Sequence, residues 1–338
     1  MLRSAGALRA LVVALAVNPA AAQPQSVADF YRGKQIRVIV GTAPGDYDTW
    51  ARVIARHMRN HLPGNPNFVV ENMPGAGSLI AANHLYAKAA QDGTVLGSVS
   101  RNIPNFAFMK QANANLDPLK FNWIGSPEMT HRACYARSDS GVTRPEDLYG
   151  RELVMGGDGA GTSLSEQPIL LRNLLGMKFK VIDGYKGSTD VVLAMARKEV
   201  GGICQTTMAF AQSAQPMLDD GSVRMLFTTE RERVPAFGVP SIFEYARTDE
   251  QRSILAFHAA SLETGRPLLA PPNVPADRVA ALRRAFDATM RDPAFLDEAR
   301  LRRLEVDPRT GEYVEGVLRA IAALPDEVIA KAAQMTRK

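Results

Sequence analysis

The chain is poor in the side chains on which most metal and nucleophile chemistry relies. It carries two cysteines and five histidines in 338 residues. There is no CxxC pair and no Cys/His cluster at metal-ligand spacing, which excludes zinc ribbons and thioredoxin-like chemistry. An HExxH helix, a nucleophile elbow and a Walker loop are also missing, so no catalytic residues are assigned and neither a metal nor a cofactor is expected. No apolar run reaches the roughly 20 residues that a membrane-spanning helix needs. Lys+Arg exceeds Asp+Glu by only 40 to 35, and no basic stripe concentrates the excess, so nucleic acid is not an expected partner. Low-complexity tracts and repeats of solenoid period are absent too.

What is present begins with a three-part N-terminus. Arg3 and Arg9 precede the apolar run Leu11 to Val17, Asn18-Pro19 break it, and Ala20-Ala21-Ala22 supply small residues for cleavage. Residues 1–22 therefore read as a secretory signal peptide. Losing Arg3 and Arg9 takes the net charge from +5 to +3, and the product is expected to be an exported, periplasmic monomer. Export gives Cys134 and Cys204 two readings, a single disulfide or two buried thiols.

From Lys34 onward, strand and helix patterns alternate, which implies an α/β protein with a largely parallel sheet. Gln35–Val40 is a β-branched run followed by the loop Thr42-Ala43-Pro44-Gly45-Asp46. The apolar spacing Trp50, Ile54, Met58, Leu62 predicts a helix from about Tyr47 to His61. Asn67–Glu71 is a second strand, then comes Asn72-Met73-Pro74-Gly75-Ala76-Gly77, with Ser78 as the N-cap of the next helix. Thr94–Ser100 is a third strand, and Arg101 follows it as a cation for a ligand. A second α/β unit is expected to begin near Asn122 to Gly125, with strands at Leu153–Met155, Phe179–Ile182 and Val200–Cys204. Helices are expected over 276–291, 293–304 and 312–324, closing the first lobe.

Two glycine-bearing loops that run from strand ends into helices point to anion binding. The first N–H groups of a helix lack intrahelical partners, and the helix dipole places about half a positive charge there. Asp46 and Asp48 would repel an anion, so they are read as helix caps. In the second unit Gly157, Gly159 and Gly161 fall at i, i+2 and i+4, which is not the dinucleotide spacing. Thr162, Ser163, Tyr185 and Gln205 are the polar candidates there. His57 and His61, four apart on a helix, are expected to face solvent.

These loops carry a resemblance. The segments Val38-Ile-Val-Gly-Thr-Ala-Pro-Gly-Asp-Tyr-Asp-Thr-Trp-Ala-Arg52, Val70-Glu-Asn-Met-Pro-Gly-Ala-Gly-Ser78 and Asp92-Gly-Thr-Val-Leu-Gly97 resemble motifs of the Bug receptors, the substrate-binding proteins of tripartite tricarboxylate transporters. Gly184–Ser188 and Glu199–Cys204 resemble second-lobe segments of the same family. The resemblance implies a two-lobed, type II periplasmic-binding-protein fold closing on a small carboxylated solute. It implies lobe 1 over 23–124 and 230–338 and lobe 2 over 125–229, with hinges near Trp123 and Phe227. It also implies that Thr42–Tyr47 and Asn72–Ser78 hold one carboxylate through backbone amides and hydroxyls. Thr162, Ser163, Tyr185 and Gln205 would choose the rest of the ligand. Membrane transporter subunits would be the partners; a sensor protein is the alternative, and an exported hydrolase is a third reading. The chain departs from the family pattern in a first loop one residue shorter than usual, with Asp46 where glycine is common. A second departure is Gly201, where aspartate is frequent.

Overall fold

A computed structural model describes residues 25–159 and 162–337; the expected signal peptide lies outside them. After α1 (Val27–Tyr31), the first sheet starts with β1 (Gln35–Val40), α2 (Asp46–Met58), β2 (Asn67–Asn72), α3 (Leu79–Ala87) and β3 (Val95–Ser98). β1 lies between β2 and β3 and is parallel to both. Its side chains alternate between two cores, as the period of two along a strand requires. Ile36, Val38 and Val40 pack with Trp50, Val53, Ile54 and Met58 of α2, while Ile39 packs with Leu79, Ala82 and Leu85 of α3. α2 stops three residues before the expected end, but Leu62 is still buried in the same core.

The parallel pattern ends there. α4 (Ile103–Phe108) leads to β4 (Asn122–Ser126), which lies in the first sheet and runs antiparallel to its neighbours. The strand expected to open the second unit therefore belongs to the first sheet. The chain crosses through residues 127–131 into β5 (Arg132–Arg137), β6 (Leu153–Gly156), α5 (Ser163–Leu175), β7 (Phe179–Ile182), α6 (Ser188–Ala196), β8 (Gly202–Thr206), α7 (Thr207–Asp219) and β9 (Val223–Thr228). These strands form a second sheet in the order β7-β6-β8-β5-β9, with β5 antiparallel to both β8 and β9. α8 (Asp249–Glu263) precedes β10 (Leu268–Ala270), which returns to the first sheet. α9 (Ala276–Thr289), α10 (Pro293–Leu301), β11 (Arg309–Thr310), α11 (Gly311–Ala322) and α12 (Asp326–Met335) complete the chain. The first sheet has the order β11-β4-β10-β3-β1-β2.

Two sheets with helices on both faces make two lobes of a mixed, rather than largely parallel, α/β fold. The antiparallel strands β4, β5 and β10 flank the crossings, because a chain that leaves one sheet and re-enters it reverses direction there. The expected hinges are displaced accordingly. Trp123 and Phe227 are buried inside β4 and β9, and the chain changes sheets at 127–131 and again just before β10. The C-terminal helices divide between the lobes. Phe286 of α9 and Phe295 of α10 pack with α2, but Ile254 and Phe257 of α8 and Ile329 of α12 share a core with Leu170, Phe179 and Phe227 of the second lobe. Assigning everything after residue 230 to the first lobe misplaces α8 and α12. The division follows from their apolar faces, which extend the core beneath α5.

Cys134 and Cys204 are direct partners across β5 and β8 and form a disulfide, with Cα atoms 4.0 Å apart. His57 and His61 do not face solvent freely. His57 Nε2 lies 2.9 Å from Glu298, which ties α2 to α10, and His61 Nε2, just past α2, lies 2.9 Å from Asp292, the N-cap of α10.

Candidate functional site

Both first-lobe loops leave the C-terminal ends of neighbouring parallel strands, so the pairing of β1 with β2 brings them side by side. Asn72 Nδ2 donates to the Thr42 carbonyl at 3.0 Å, and Ser78 Oγ donates to the Gly41 carbonyl at 2.9 Å. These bonds join the two loops directly. Residues Ala43, Pro44, Gly45 and Asp46 remain exposed along the first loop.

The second loop is wound left-handed. Gly75 has φ +139°, and Ala76, Gly77 and Ser78 follow at +46°, +62° and +77°. For alanine and serine this region costs about 1–2 kcal/mol per residue, and such strain concentrates at sites where a backbone must be aimed. Ser78 is not the side-chain cap expected of it: its hydroxyl is committed to Gly41, and no side-chain cap bond forms at the start of α3. Gly45 likewise caps α2 without a side chain. Two helix starts with uncapped N–H groups therefore lie at adjoining strand ends.

The acids near the first loop are not caps. Arg52 takes both Asp48 carboxylate oxygens from Nε, at 3.1 and 2.9 Å, and these hydrogen bonds hold Asp48 below the ordinary carboxylate range. Asp46 pairs with Arg266 at 3.1 Å. Arg266 also pairs with the buried Glu128 and lies over the Tyr47 ring at 5.5 Å, and its burial lowers its own pKa. The negative charge beside the loop is thus met by arginines.

Arg101 is held in the crossover region. Its backbone N–H donates to the Tyr47 hydroxyl at 3.1 Å, and its Nη1 donates to Thr130 Oγ1 at 2.6 Å. Thr130 in turn donates to Glu128 at 3.1 Å. Arg101, Tyr47, Thr130, Glu128, Arg266 and Asp46 are therefore one polar network spanning the first loop and the β4–β5 crossing.

The second-lobe candidates form a separate group. Thr162 Oγ1 donates to the Gly159 carbonyl at 2.7 Å, and Ser165 Oγ donates to Asp183 at 2.6 Å. The Ser163 carbonyl accepts from Arg132 Nη1 at 3.4 Å. Tyr185 is half-buried against the core of α6 and β8. Gln205, at the end of β8, is 4% exposed, and both its amide atoms are buried without a hydrogen-bond partner among the described residues. Thr42 Oγ1 in the first lobe is in the same state. Thr130 and Arg132, two residues apart, connect the groups: one touches Arg101, the other Ser163.

Sequence reasoning missed Glu128, Thr130, Arg132, Glu230 and Arg266. For Arg132 a signal exists, because it is the one permanent cation in the otherwise strand-like run from His131 to Ala136. The acids and Arg266 carry no local signal, because their partners come from distant segments.

The sequence profile of the tripartite tricarboxylate transporter family receptors, TctC, matches residues 50–315. A crystal structure of a TctC solute-binding protein from Polaromonas, without ligand, superposes with a TM-score of 0.70 at 18% identity, covering 89% of this chain and 99% of that one. The periplasmic binding protein BugD gives 0.55 at 22% identity over 90% and 99%. The R. palustris protein Rpa4515 with adipate gives 0.57 at 21% identity over 89% and 97%. No curated protein matches the sequence.

Proposed function

Since the chain belongs to the tripartite tricarboxylate transporter receptor family, we propose that it is an exported receptor that captures a small carboxylated solute for a membrane transporter. Family receptors work in the periplasm, and the signal-peptide pattern of residues 1–22 supplies the route there. The observation that carries the ligand class is the left-handed loop Ala76–Ser78 before α3. It leaves main-chain donors at the start of a helix, beside a second uncapped helix start at Gly45. Such an arrangement suits a carboxylate, and the network around Arg266 offsets the nearby acids.

Isothermal titration calorimetry against organic acids, chosen first by thermal-shift screening, tests this reading. Esterifying the carboxylate that faces the loops should abolish binding, because each main-chain donor left unpaired costs about 1–3 kcal/mol. Gly75→Val and Gly77→Val should weaken binding more than Lys186→Ala. Equal affinity for an acid and its ester would sink the proposal. A receptor of the same fold that signals to a sensor would bind identically but would not restore uptake to cells lacking it.

A further inference from the structure

The crossing at residues 127–131 is tied at both ends to one residue of the first lobe. The Asp307 N–H donates to the Pro127 carbonyl at 3.1 Å, and the Asp307 carboxylate lies 3.7 Å from Nε2 of His131. Asp307 stands two residues before β11, which pairs with β4 in the first sheet. Between the two ends, Arg309 Nη2 meets Met129 Sδ at 3.4 Å. His131 is fixed to the second lobe on its other side. Its carbonyl accepts from the Thr207 N–H at 3.0 Å, and its Nδ1 lies 3.2 Å from Oε1 of Glu230, two residues past β9. The half-buried imidazole therefore stands between a carboxylate of each lobe, at the point where the chain passes from one to the other.

Two carboxylates decide what that ring must be. A neutral imidazole has one N–H and one lone pair, whereas the imidazolium donates from both nitrogens. Ionised carboxylates only accept, so both contacts are attractive in the charged form alone. Glu230 adds to the demand: it is 4% exposed, its Oε2 has no hydrogen-bond partner, and His131 is its one ion-pair partner among the described residues. A buried carboxylate needs a cation at close range. Arg132, the next residue, directs its guanidinium to the Ser163 carbonyl and gives Glu230 only its backbone N–H. The bond to Glu230 raises His131 above its ordinary 6.5 against the burial of the ring, and the charges of Glu230, Asp307 and Glu305 add to it. Arg309 shares Asp307, at 2.7 and 3.0 Å, and the Phe237 ring packs edge-on against the imidazole at 5.4 Å.

The lobes joined by this brace stand open. Among the described residues no hydrogen bond links the loops 42–47 and 72–78 to the second-lobe loops 157–163 and 184–188. A Cβ added at Gly159, Gly184 or Gly187 would meet nothing within 4 Å. We infer that protonated His131 is a latch that holds the lobes apart, so that this receptor closes more readily once the imidazole has lost its proton. The neutral ring turns a lone pair to one of its two carboxylates. The Asp307 contact is the longer and more exposed of the two, and it is the one given up. The crossing is then tied only at Pro127 and Met129, and its last residues can turn as the lobes approach. By reciprocity, closing around a ligand expels the proton. The latch itself needs no ligand; its effect on affinity rests on the carboxylate-receptor reading above.

The first arm of the test uses the mature protein without ligand. Spin labels on Ile80→Cys and Lys186→Cys, exposed residues at the start of α3 and in the loop after β7, report the distance across the cleft; the native cysteines are bonded to each other and take no label. The distance should be long and single at pH 6 and gain a shorter population at pH 9. His131→Gln should show the shorter population at both. Asp307→Asn keeps the buried Glu230 pair and should show it already at pH 6, so it decides the question if His131→Gln does not fold. The second arm is calorimetry with benzoate and unbranched diacids of four to eight carbons. The tightest of these should gain about tenfold in affinity from pH 6 to 9, the effect of a one-unit difference in the imidazole between open and closed protein. Its binding near neutrality should release protons, read from the heats in buffers of different ionisation enthalpy. Asp307→Asn should abolish the gain. A parent distance that ignores pH, an affinity that does not rise, or a pH response that survives Asp307→Asn overturns the latch. If none of the acids binds while the distances respond to pH, the carboxylate reading falls and the latch stands.

Discussion

Gly41→Ala is the substitution that tests most directly how the two first-lobe loops are joined. Gly41 directly follows β1; its N–H donates to the Ser98 carbonyl and its carbonyl accepts from Ser78 Oγ, both at 2.9 Å. A Cβ at this position would meet Ser78 Oγ at 2.6 Å, Ser78 Cβ at 2.7 Å and Ala81 Cβ at 3.3 Å. The first two are about 1 Å short of an ordinary contact of 3.5–4.0 Å. Rotating the hydroxyl away is no remedy, because Ser78 Cβ collides as well and Ser78 is buried in a left-handed conformation. The start of α3 must therefore back away from β1. Overpacking of this kind costs about 1–3 kcal/mol, and losing the Ser78 bond adds about 1 kcal/mol. The total of about 2–4 kcal/mol is a large share of a domain's stability. Urea unfolding should show the midpoint falling with an unchanged slope. Gly45→Ala is the control. Its nearest neighbour to an added Cβ is the Ala43 carbonyl at 3.8 Å and its backbone is extended, so its stability should stay within about 0.5 kcal/mol of the parent. Ligand affinity should fall at least tenfold for Gly41→Ala, because displaced N–H groups no longer converge. Identical urea midpoints for the two variants would refute this account of how the loops are joined.

The Cys134–Cys204 bond closes a loop with a sequence separation of 70, so replacing both cysteines with alanine should lower stability by up to about 4 kcal/mol in chain entropy. Denatured, unreduced protein should show no titratable thiol, and two thiols would contradict the pairing. Desolvation lowers His258 to about 4 from an ordinary 6.5, and its Nε2–H donates to the Ala332 carbonyl at 3.1 Å. Between these values the unfolded chain holds a proton that the folded protein refuses, so stability falls as pH drops from 6.5 to 4. His258→Gln should flatten this dependence in unfolding measured against pH, and an unchanged slope would contradict it. His131 is shifted the other way by its hydrogen bond to Glu230, at 3.2 Å. Its contribution is complete below about 6.5 and is lost as pH rises through the higher folded value; His131→Gln should therefore cost stability at pH 6 and little at pH 9. Saturating ligand should draw the lobes together and reduce the radius of gyration in solution scattering, whereas unchanged scattering would mean a rigid or already closed receptor.

Much of the site was legible because its chemistry is local. The glycines and prolines at Thr42–Asp46 and Asn72–Ser78 punctuate the chain where a parallel strand must turn into a helix, and that requirement depends only on near neighbours. The apolar spacing of Trp50, Ile54 and Met58 marked α2 for the same reason. Ser78 was misread as a cap because the Gly41 carbonyl that takes its hydroxyl lies 37 residues away. Asp46 and Asp48 were misread because Arg266 and Arg52 offered better partners than the helix N–H groups. His57 and His61 looked solvent-facing until α10 brought Glu298 and Asp292 against them.

The sequence by itself determined the alternation of strands and helices, the two loops that end β1 and β2, and the family to which the chain belongs. These follow from side-chain periodicity and turn chemistry, which act over a few residues. Only the tertiary structure decided that β4 belongs to the first sheet, that α8 and α12 serve the second lobe, and that Cys134 faces Cys204. It alone buried the Arg132 side chain and left its Nε without a hydrogen-bond partner among the described residues. Strand order and the company of a buried charge are settled by contacts between segments far apart in the chain, and no local pattern records which segments will meet.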